Sequence, residues 1–437
     1  MMENENALTE ARRLLDFLHA SPTAFHAVET ARRTLEGFEP LRECEPWQLE
    51  PGHRYLVTRN RSSLIAFTMP AESLRSFRLI AAHSDSPTFR IKENAELVLR
   101  DQYVRLNTER YGGQILSTWF DRPLSVAGRL LIRTDAGLST RLIDLDRDIC
   151  VIPNLAIHMN RTVNDGVKLN PAVDTLPLWG SSAAAGTFRK TIAEAAGVKQ
   201  EDILGSDLYL YNRMPGCIWG VRQEYLSAPR LDDLECVYGG VRALQQAAPA
   251  ANHADVLAVF DNEEVGSTTR QGADSGFLQD VLTRIADAAG ADIHCLLAGS
   301  LMLSADNAHA VHPNHPELSD QHNAPLMNGG IVIKHSANQK YTTDGASEAV
   351  FRSVCHDAGV PLQTFANRSD LAGGSTLGNL SARHVSVSTL DIGLAQLAMH
   401  SSWETAGALD PALLVRGMTA WFDAAITVSG DGEMRFA

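Results

Sequence analysis

Cysteine is scarce in this 437-residue chain, and the six that occur stand apart. Cys44, Cys150, Cys217, Cys236, Cys295 and Cys355 form no C-x-x-C pair. That spacing excludes a thiolate metal knuckle and gives no disulfide framework. The expectation is free thiols, several of them buried, as for Cys295 in "IHCLLAG", in a reducing compartment, the cytoplasm. Positive charge is also short: 38 Lys and Arg stand against 52 Asp and Glu, for a net charge of -14. Nucleic acid as the main partner needs a basic footprint, so that class is excluded, and anionic membrane surfaces are disfavoured. An acidic small substrate is not excluded, because one local lysine can override the average. No apolar run is long enough to span a bilayer. The opening "MMENENALTEARRLL" is polar and acidic before a helical pattern, without the apolar core of a signal peptide. No repeat or low-complexity tract is visible.

The length exceeds one ordinary core, so two domains are expected. Residues 6–20 read as an amphipathic helix, with Leu8, Ala11, Leu15 and Leu18 on one side. "SPTAFHAVETARRTLEGF" reads as a second, stopped by Gly37. "FRLIAAHSDSP" is a strand running into a polar turn. From about 95 to 230, segments such as "AELVLRDQYVRLN" and "GRLLIRT" alternate apolar and polar residues, as antiparallel sheet does. Beyond 232, strands and helices alternate again, in "DVLAVFD", "SGFLQDVLTRIADAAG", "GGIVIKHS", "ASEAVFRSVCHDAG", "PLQTF" and "HVSVSTLDIG", with a last helix near 408–426. The fold class is therefore α/β. The simplest division is one domain built from residues 1–91 and 231–437, with a β-rich domain, 92–230, inserted in it.

Carboxylates crowd one strand end. The apolar run from Val256 to Phe260 leads into "DNEEVGS", which carries Asp261, Glu263, Glu264 and the Gly266 turn. Adjacent carboxylates repel unless a cation compensates. In extended chain, neighbours point opposite ways, so one could hold a metal and the other act on water. An exposed acidic pair is the plain alternative. In "AAHSDSP", His83 and Asp85 share a face of extended chain, as a ligand and its orienting carboxylate do; a capped polar turn reads equally well. "SADNAHAVHP" spaces Asp306, His309 and His312 by three, near one face of a helix if one extends so far. The trio could hold one metal itself, or supply one ligand and one substrate contact. Asp232 and Asp233 sit where the insertion rejoins the main domain, a place to bridge ions or an ordinary charged turn. His400 lies in an apolar stretch expected to be buried, where a lone histidine is usually a core residue. Taken together, two histidines and three carboxylates match a pair of divalent ions sharing a bridging Asp, with one carboxylate spare. Such ligands suit zinc, with manganese or cobalt as substitutes.

"AAHSDSP", "YGGQILSTWFDRPLSVAGR", "IPNLAIHMNR", "PRLDDL", "FDNEEVGS", "SADNAHAVHPN" and "DIGLAQLAMHS" together resemble the aspartyl aminopeptidase family of co-catalytic di-zinc metallopeptidases, in a bacterial-type member. The resemblance runs from 83 to 401 in the family's order. It implies a phosphorylase/hydrolase-like, three-layer α/β catalytic domain with an inserted dimerisation domain, and assembly into a tetrahedral dodecamer. It implies that His83, Asp232, Glu264, Asp306 and His400 are the metal ligands, with Asp232 bridging, Glu263 the general base and Asp85 the orienter of His83. It further implies substrate contacts by His309, Lys334 and Tyr341, with Lys334 facing an acidic N-terminal side chain, and by His158 reaching into a partner's site. Ser84 stands where Thr is common, and Asn307 where Met is frequent; neither removes a ligand. The expected reaction is release of one N-terminal residue, preferably Asp or Glu, from peptides. A hydrolase of blocked amines on the same scaffold is the nearest alternative, and a self-assembling scaffold with a relic site the next.

Overall fold

The computed structural model describes residues 2–371 and 373–436. Its larger sheet has nine strands. In spatial order they are Glu39–Leu41, Arg54–Arg59, Ser63–Thr68, His253–Phe260, Ser76–His83, Leu301–Ala305, Ser388–Gly393, Ile331–His335 and Leu362–Ala366. The four strands from His253–Phe260 to Ser388–Gly393 run parallel. Parallel strands need crossovers that cover both faces, so their sequences must be apolar on both sides. Ser76–His83 and His253–Phe260 are accordingly buried at every position. Their side chains alternate between two cores. Ile80, Ala82, Leu257 and Val259 face one that includes Leu14, Leu234 and Phe422 from helices Met2–His19, Leu231–Gln246 and Asp410–Asp423. Phe77, Leu79, Val256 and Phe260 face the other, with Phe277 and Val281 from helix Phe277–Ala288. Helices on both sides of a sheet make the three layers expected of an α/β domain.

A second sheet of six strands is antiparallel throughout: Gly137–Asp144, Leu124–Thr134, Ile203–Asn212, Thr88–Leu99, Tyr103–Tyr111 and Leu178–Ser181. It packs its own core around Phe89, Leu106, Trp119, Val126 and Phe188. In sequence it lies wholly between two adjacent strands of the larger sheet, so the α/β layers carry a β-rich insertion, as the alternation of residues predicts.

The far end of the insertion is less simple. Cys217–Trp219 and Tyr225–Ala228 belong to a third sheet with Glu404–Gly407, Ala395–Leu397 and Ala308–His309. The limit expected at 230 thus falls beyond two strands of that sheet, of which Tyr225–Ala228 hydrogen-bonds to Glu404–Gly407 in the C-terminal half of the chain. Alternation marks a strand but not the sheet it joins. "PRLDDLECVY" opens a helix, Leu231–Gln246, where a charged turn was one reading. Cys295 is exposed on the short helix Ile293–Ala298, and Cys44 and Cys217 are exposed too, so only Cys150, Cys236 and Cys355 match the expectation of burial. No cysteine is paired among the described residues. No described helix is long and apolar enough to cross a membrane.

Candidate metal centre

The parallel strands deliver side chains to one edge, their C-terminal ends, where sites of open α/β sheets form. His83 ends its strand in register with Phe260, which places "DNEE" beside it. Asn262, at φ 63, turns the chain, and Glu263–Val265 form one turn of 3-10 helix rather than the extended chain expected. Asp306 follows Leu301–Ala305, and His309 lies in the strand Ala308–His309, so the expected helix over 306–312 is absent. His312 is exposed and outside the cluster. Asp232 and Asp233 leave helical dihedrals at the start of their helix. His400 occupies a turn at φ 67 with its side chain 32% exposed, not a buried apolar stretch.

Seven of these residues converge. Asp232 Oδ1 lies 3.4 Å from His83 Nε2, and Asp232 Oδ2 lies 3.2 Å from His400 Nε2. One carboxylate therefore faces two imidazoles, one oxygen to each. His400 Nε2 is also 3.4 Å from Glu264 Oε2. Ligand atoms of His83, Asp232, Asp233 and Asp306 lie within 4.8 Å of one another, as do those of Asp232, Glu264 and His400, and those of His83, Glu263 and Glu264. His83 Nδ1 is 3.0 Å from the Asp85 carbonyl oxygen and 3.4 Å from its carboxylate. With Nδ1–H donating there, Nε2 is left as the free donor atom on the Asp232 side. Both Asp85 oxygens also accept backbone N–H bonds, from Glu263 at 3.1 Å and Glu264 at 3.2 Å.

The charge is unbalanced. Burial, with Asp306, Asp85 and Asp232 nearby, pushes the Glu263 carboxyl up to about 8. Burial, then Asp232, raises Glu264 well above the usual range, and burial also raises Asp233. Asp232 is held low: burial opposes its charge, but the imidazoles of His400 and His83 beside its two oxygens outweigh that. Asp232 Oδ1, Asp233 Oδ1 and Glu264 Oε1 are buried without a hydrogen-bond partner among the described residues. Orphaned carboxylate oxygens around free imidazole nitrogens are what a divalent cation satisfies, and imidazole with carboxylate fits zinc.

Lys334, Tyr341 and His309 form a neighbouring group. Lys334 Nζ is buried, donates to the carbonyls of Asp306 at 2.9 Å and Asn307 at 3.2 Å, and lies 3.5 Å from the Asp306 carboxylate. It sits 4.9 Å from the Tyr341 ring centroid, and the rings of Tyr341 and His309 both approach Phe365, at 6.3 and 6.0 Å. His158 is exposed in the loop 153–159 and is not among the metal-ligand groups of its own chain. Sequence reasoning missed two members of the site. Phe365 closes the aromatic group, and nothing in "PLQTF" marks it. Glu404 accepts from the backbone N–H of Asp232 at 3.2 Å and of His400 at 2.8 Å, tying two members of the cluster together; the signal available was an acid four residues after His400.

The chain is similar to known proteins. The family model described as aminopeptidase I zinc metalloprotease (M18) matches residues 17–422. A probable M18 family aminopeptidase 2 of Clostridium acetobutylicum is 49% identical over 419 residues, covering 93% of this chain and 96% of the relative. One from Pseudomonas aeruginosa is 42% identical over 421 residues, covering 94% and 97%. Among solved structures, that of the Ape4 and Nbr1 complex superposes with a TM-score of 0.93 at 34% identity, over 96% of this chain and 86% of that one. Yeast aminopeptidase 1 gives 0.85 at 27%, over 95% and 97%. A buried cluster of imidazoles and carboxylates at the strand ends, in a chain matched almost end to end, places this protein in the M18 family, as a metal-dependent aminopeptidase of the zinc metalloprotease class.

Proposed function

We propose that the enzyme works with two divalent ions, zinc in its native state, shared through Asp232. The observation that carries this reading is the placing of one Asp232 oxygen before each imidazole. His83, Asp306 and Asp232 would hold one ion; Glu264, His400 and Asp232 the other. When bound, such a pair lowers the pKa of a water and polarises the scissile carbonyl. Glu263 takes the water's proton and returns it to the leaving amine, which one carboxylate can do from one position. Asp85 keeps His83 and the main chain of both glutamates in place. The surplus negative charge of the cluster suits a free α-amine, which makes the enzyme an exopeptidase.

Asp or Glu is the preferred N-terminal residue in this reading, with Lys334 the cation that an acidic side chain would meet and Tyr341 and His309 its neighbours. Lys334 already bonds to Asp306, so the substrate would share it. The loop carrying His158 exposes Leu155, Ile157 and Met159, which supports burial against a second copy. The structure of S. cerevesiae mApe1 is described as a dodecamer. We extend that to a tetrahedral dodecamer built from dimers here. The sheet limits, 88–212, serve as bounds of the inserted dimerisation domain. Unpaired thiols support a cytoplasmic site of action.

The test is hydrolysis of aminoacyl reporters by metal-depleted protein before and after zinc, manganese or cobalt. The panel holds Asp, Glu, Leu and Lys, each with a free or acetylated amine. Metal-dependent release from free-amine Asp and Glu substrates is expected. Equal turnover of Leu would remove the acidic preference, and turnover of acetylated substrates would remove the exopeptidase mechanism.

A further inference from the structure

The stretch Tyr111-Gly112-Gly113 reaches the metal centre from the inserted sheet, and no step above uses it. Each of its three residues makes contact there. Tyr111 Oη donates to Asp85 Oδ2 at 2.6 Å and accepts from Asn262 Nδ2 at 2.8 Å. Gly112, at φ +80, lies so near Glu264 that an added Cβ would stand 3.2 Å from Glu264 Cβ and 3.4 Å from its carbonyl oxygen. The Gly113 carbonyl accepts from His400 Nδ1 at 3.2 Å. The same segment continues along the His400 turn. Ile115 N–H donates to the His400 carbonyl at 2.9 Å, Ser402 N–H to Thr118 Oγ1 at 2.9 Å, and Ser402 Oγ to the Thr118 carbonyl at 2.5 Å.

A ligating imidazole takes its tautomer and angle from the partner of its other nitrogen. For His83 that partner is Asp85, two residues along the same strand end. For His400 it is a carbonyl 287 residues away, on the inserted sheet's arm. We infer that residues 111–118 are a positioning arm. Docking of the inserted sheet, through residues 112–118, sets the half of the centre made by Glu264 and His400, whereas the half made by His83 and Asp306 stands on the nine-stranded sheet and meets the arm through Tyr111 on Asp85. The inference rests on the two-ion reading and deepens it: the two ion positions differ in what holds them. Gly112 is required because any side chain would press on Glu264. Thr118 Oγ1 also donates to the Ile115 carbonyl at 2.7 Å, within the arm, and so ties the arm to the turn after His400.

The experiment titrates zinc into metal-stripped, full-length protein and counts ions and dissociation constants by calorimetry, for the parent chain, Gly112→Ala and Thr118→Val. Thr118→Val keeps shape and ordinary dihedrals, so it answers if Gly112→Ala fails to fold. The parent should take two ions. The variants should keep one with its parental constant and bind the other about tenfold or more weakly, the usual effect of losing a ligand's support. Thermal unfolding of the stripped Thr118→Val protein and its assembly size should match the parent. Parental constants for both ions in both variants would overturn the arm, as would equal weakening of both ions. A parent that takes a single ion would overturn the two-ion reading itself.

Discussion

Glu263 and Glu264 are sequence neighbours in unlike surroundings. Glu264 faces His400 across 3.4 Å, while Glu263 approaches His83 and is in the cluster without His400. Glu263→Gln should therefore keep the metal content of the parent and lose about 10²- to 10⁴-fold in turnover, the scale of general-base catalysis. Metal analysis beside steady-state rates checks this; a fully active variant would remove Glu263 as the base. Glu404 acts differently, through the backbone N–H of Asp232 and His400. A glutamine offers one oxygen for those two donors. Glu404→Gln should weaken metal binding by about 10- to 100-fold, the range seen when outer partners of ligands are lost, read as a dissociation constant by competition with a chelating dye. Within the cluster, His83, Glu263, Glu264 and Asp306 were legible because they end or follow apolar strands, whereas Asp232 opens a helix and His400 sits in a turn. Glu404 was not legible, since its partners are main-chain groups 4 and 172 residues away and leave no mark in its own segment.

The strand His253–Phe260 shows how an element carries charge through a core. Asp255 is fully buried in it, in register with Arg78 on the adjacent strand and 3.2 Å from His253 Nε2. Burial pushes its carboxyl up to about 6, although His253 and Arg78 pull the other way. The folded state thus holds this proton more tightly than the unfolded chain does. Its contribution favours the fold below the unfolded value near 3.8 and is lost as pH rises through about 6. A gap of about two pH units corresponds to about 3 kcal/mol. Asp255→Asn should remove that part of the decline in stability between pH 4 and 6, measured by denaturant unfolding across that range. An unchanged profile would mean the group keeps its charge when folded. At this scale the parallel strands were readable from unbroken apolar runs. Leu231–Gln246 was not, although Leu234, Val237, Val241 and Leu244 follow helical spacing, because Asp232 and Asp233 depart from helical dihedrals at its start and read as a turn. The apolar run before Asp306 hid a break: Ile293–Ala298 is helix and Leu301–Ala305 strand, and periodicity cannot separate such short pieces.

For the whole molecule, removal of metal should act on stability as well as rate. A chelator leaves the carboxylates crowded, so the stripped protein should lose activity and melt at lower temperature. Zinc restored to about a hundredfold over its dissociation constant should return about 2.7 kcal/mol for each ion bound. Calorimetric scans with and without zinc check this, and identical melting would show that the cluster holds no stabilising ion. The division into α/β layers and a β-rich insertion was legible in the change of residue pattern near 95. The far limit was not, because Tyr225–Ala228 finds its partner in Glu404–Gly407, late in the chain. That late partner has a further meaning. In the two-ion reading, His83 leaves the ribosome long before His400 and Glu404 do. On that reading the scissors have no second blade until residue 404 has been made, so a nascent chain should not trim its neighbours and one terminated before His400 should be inert.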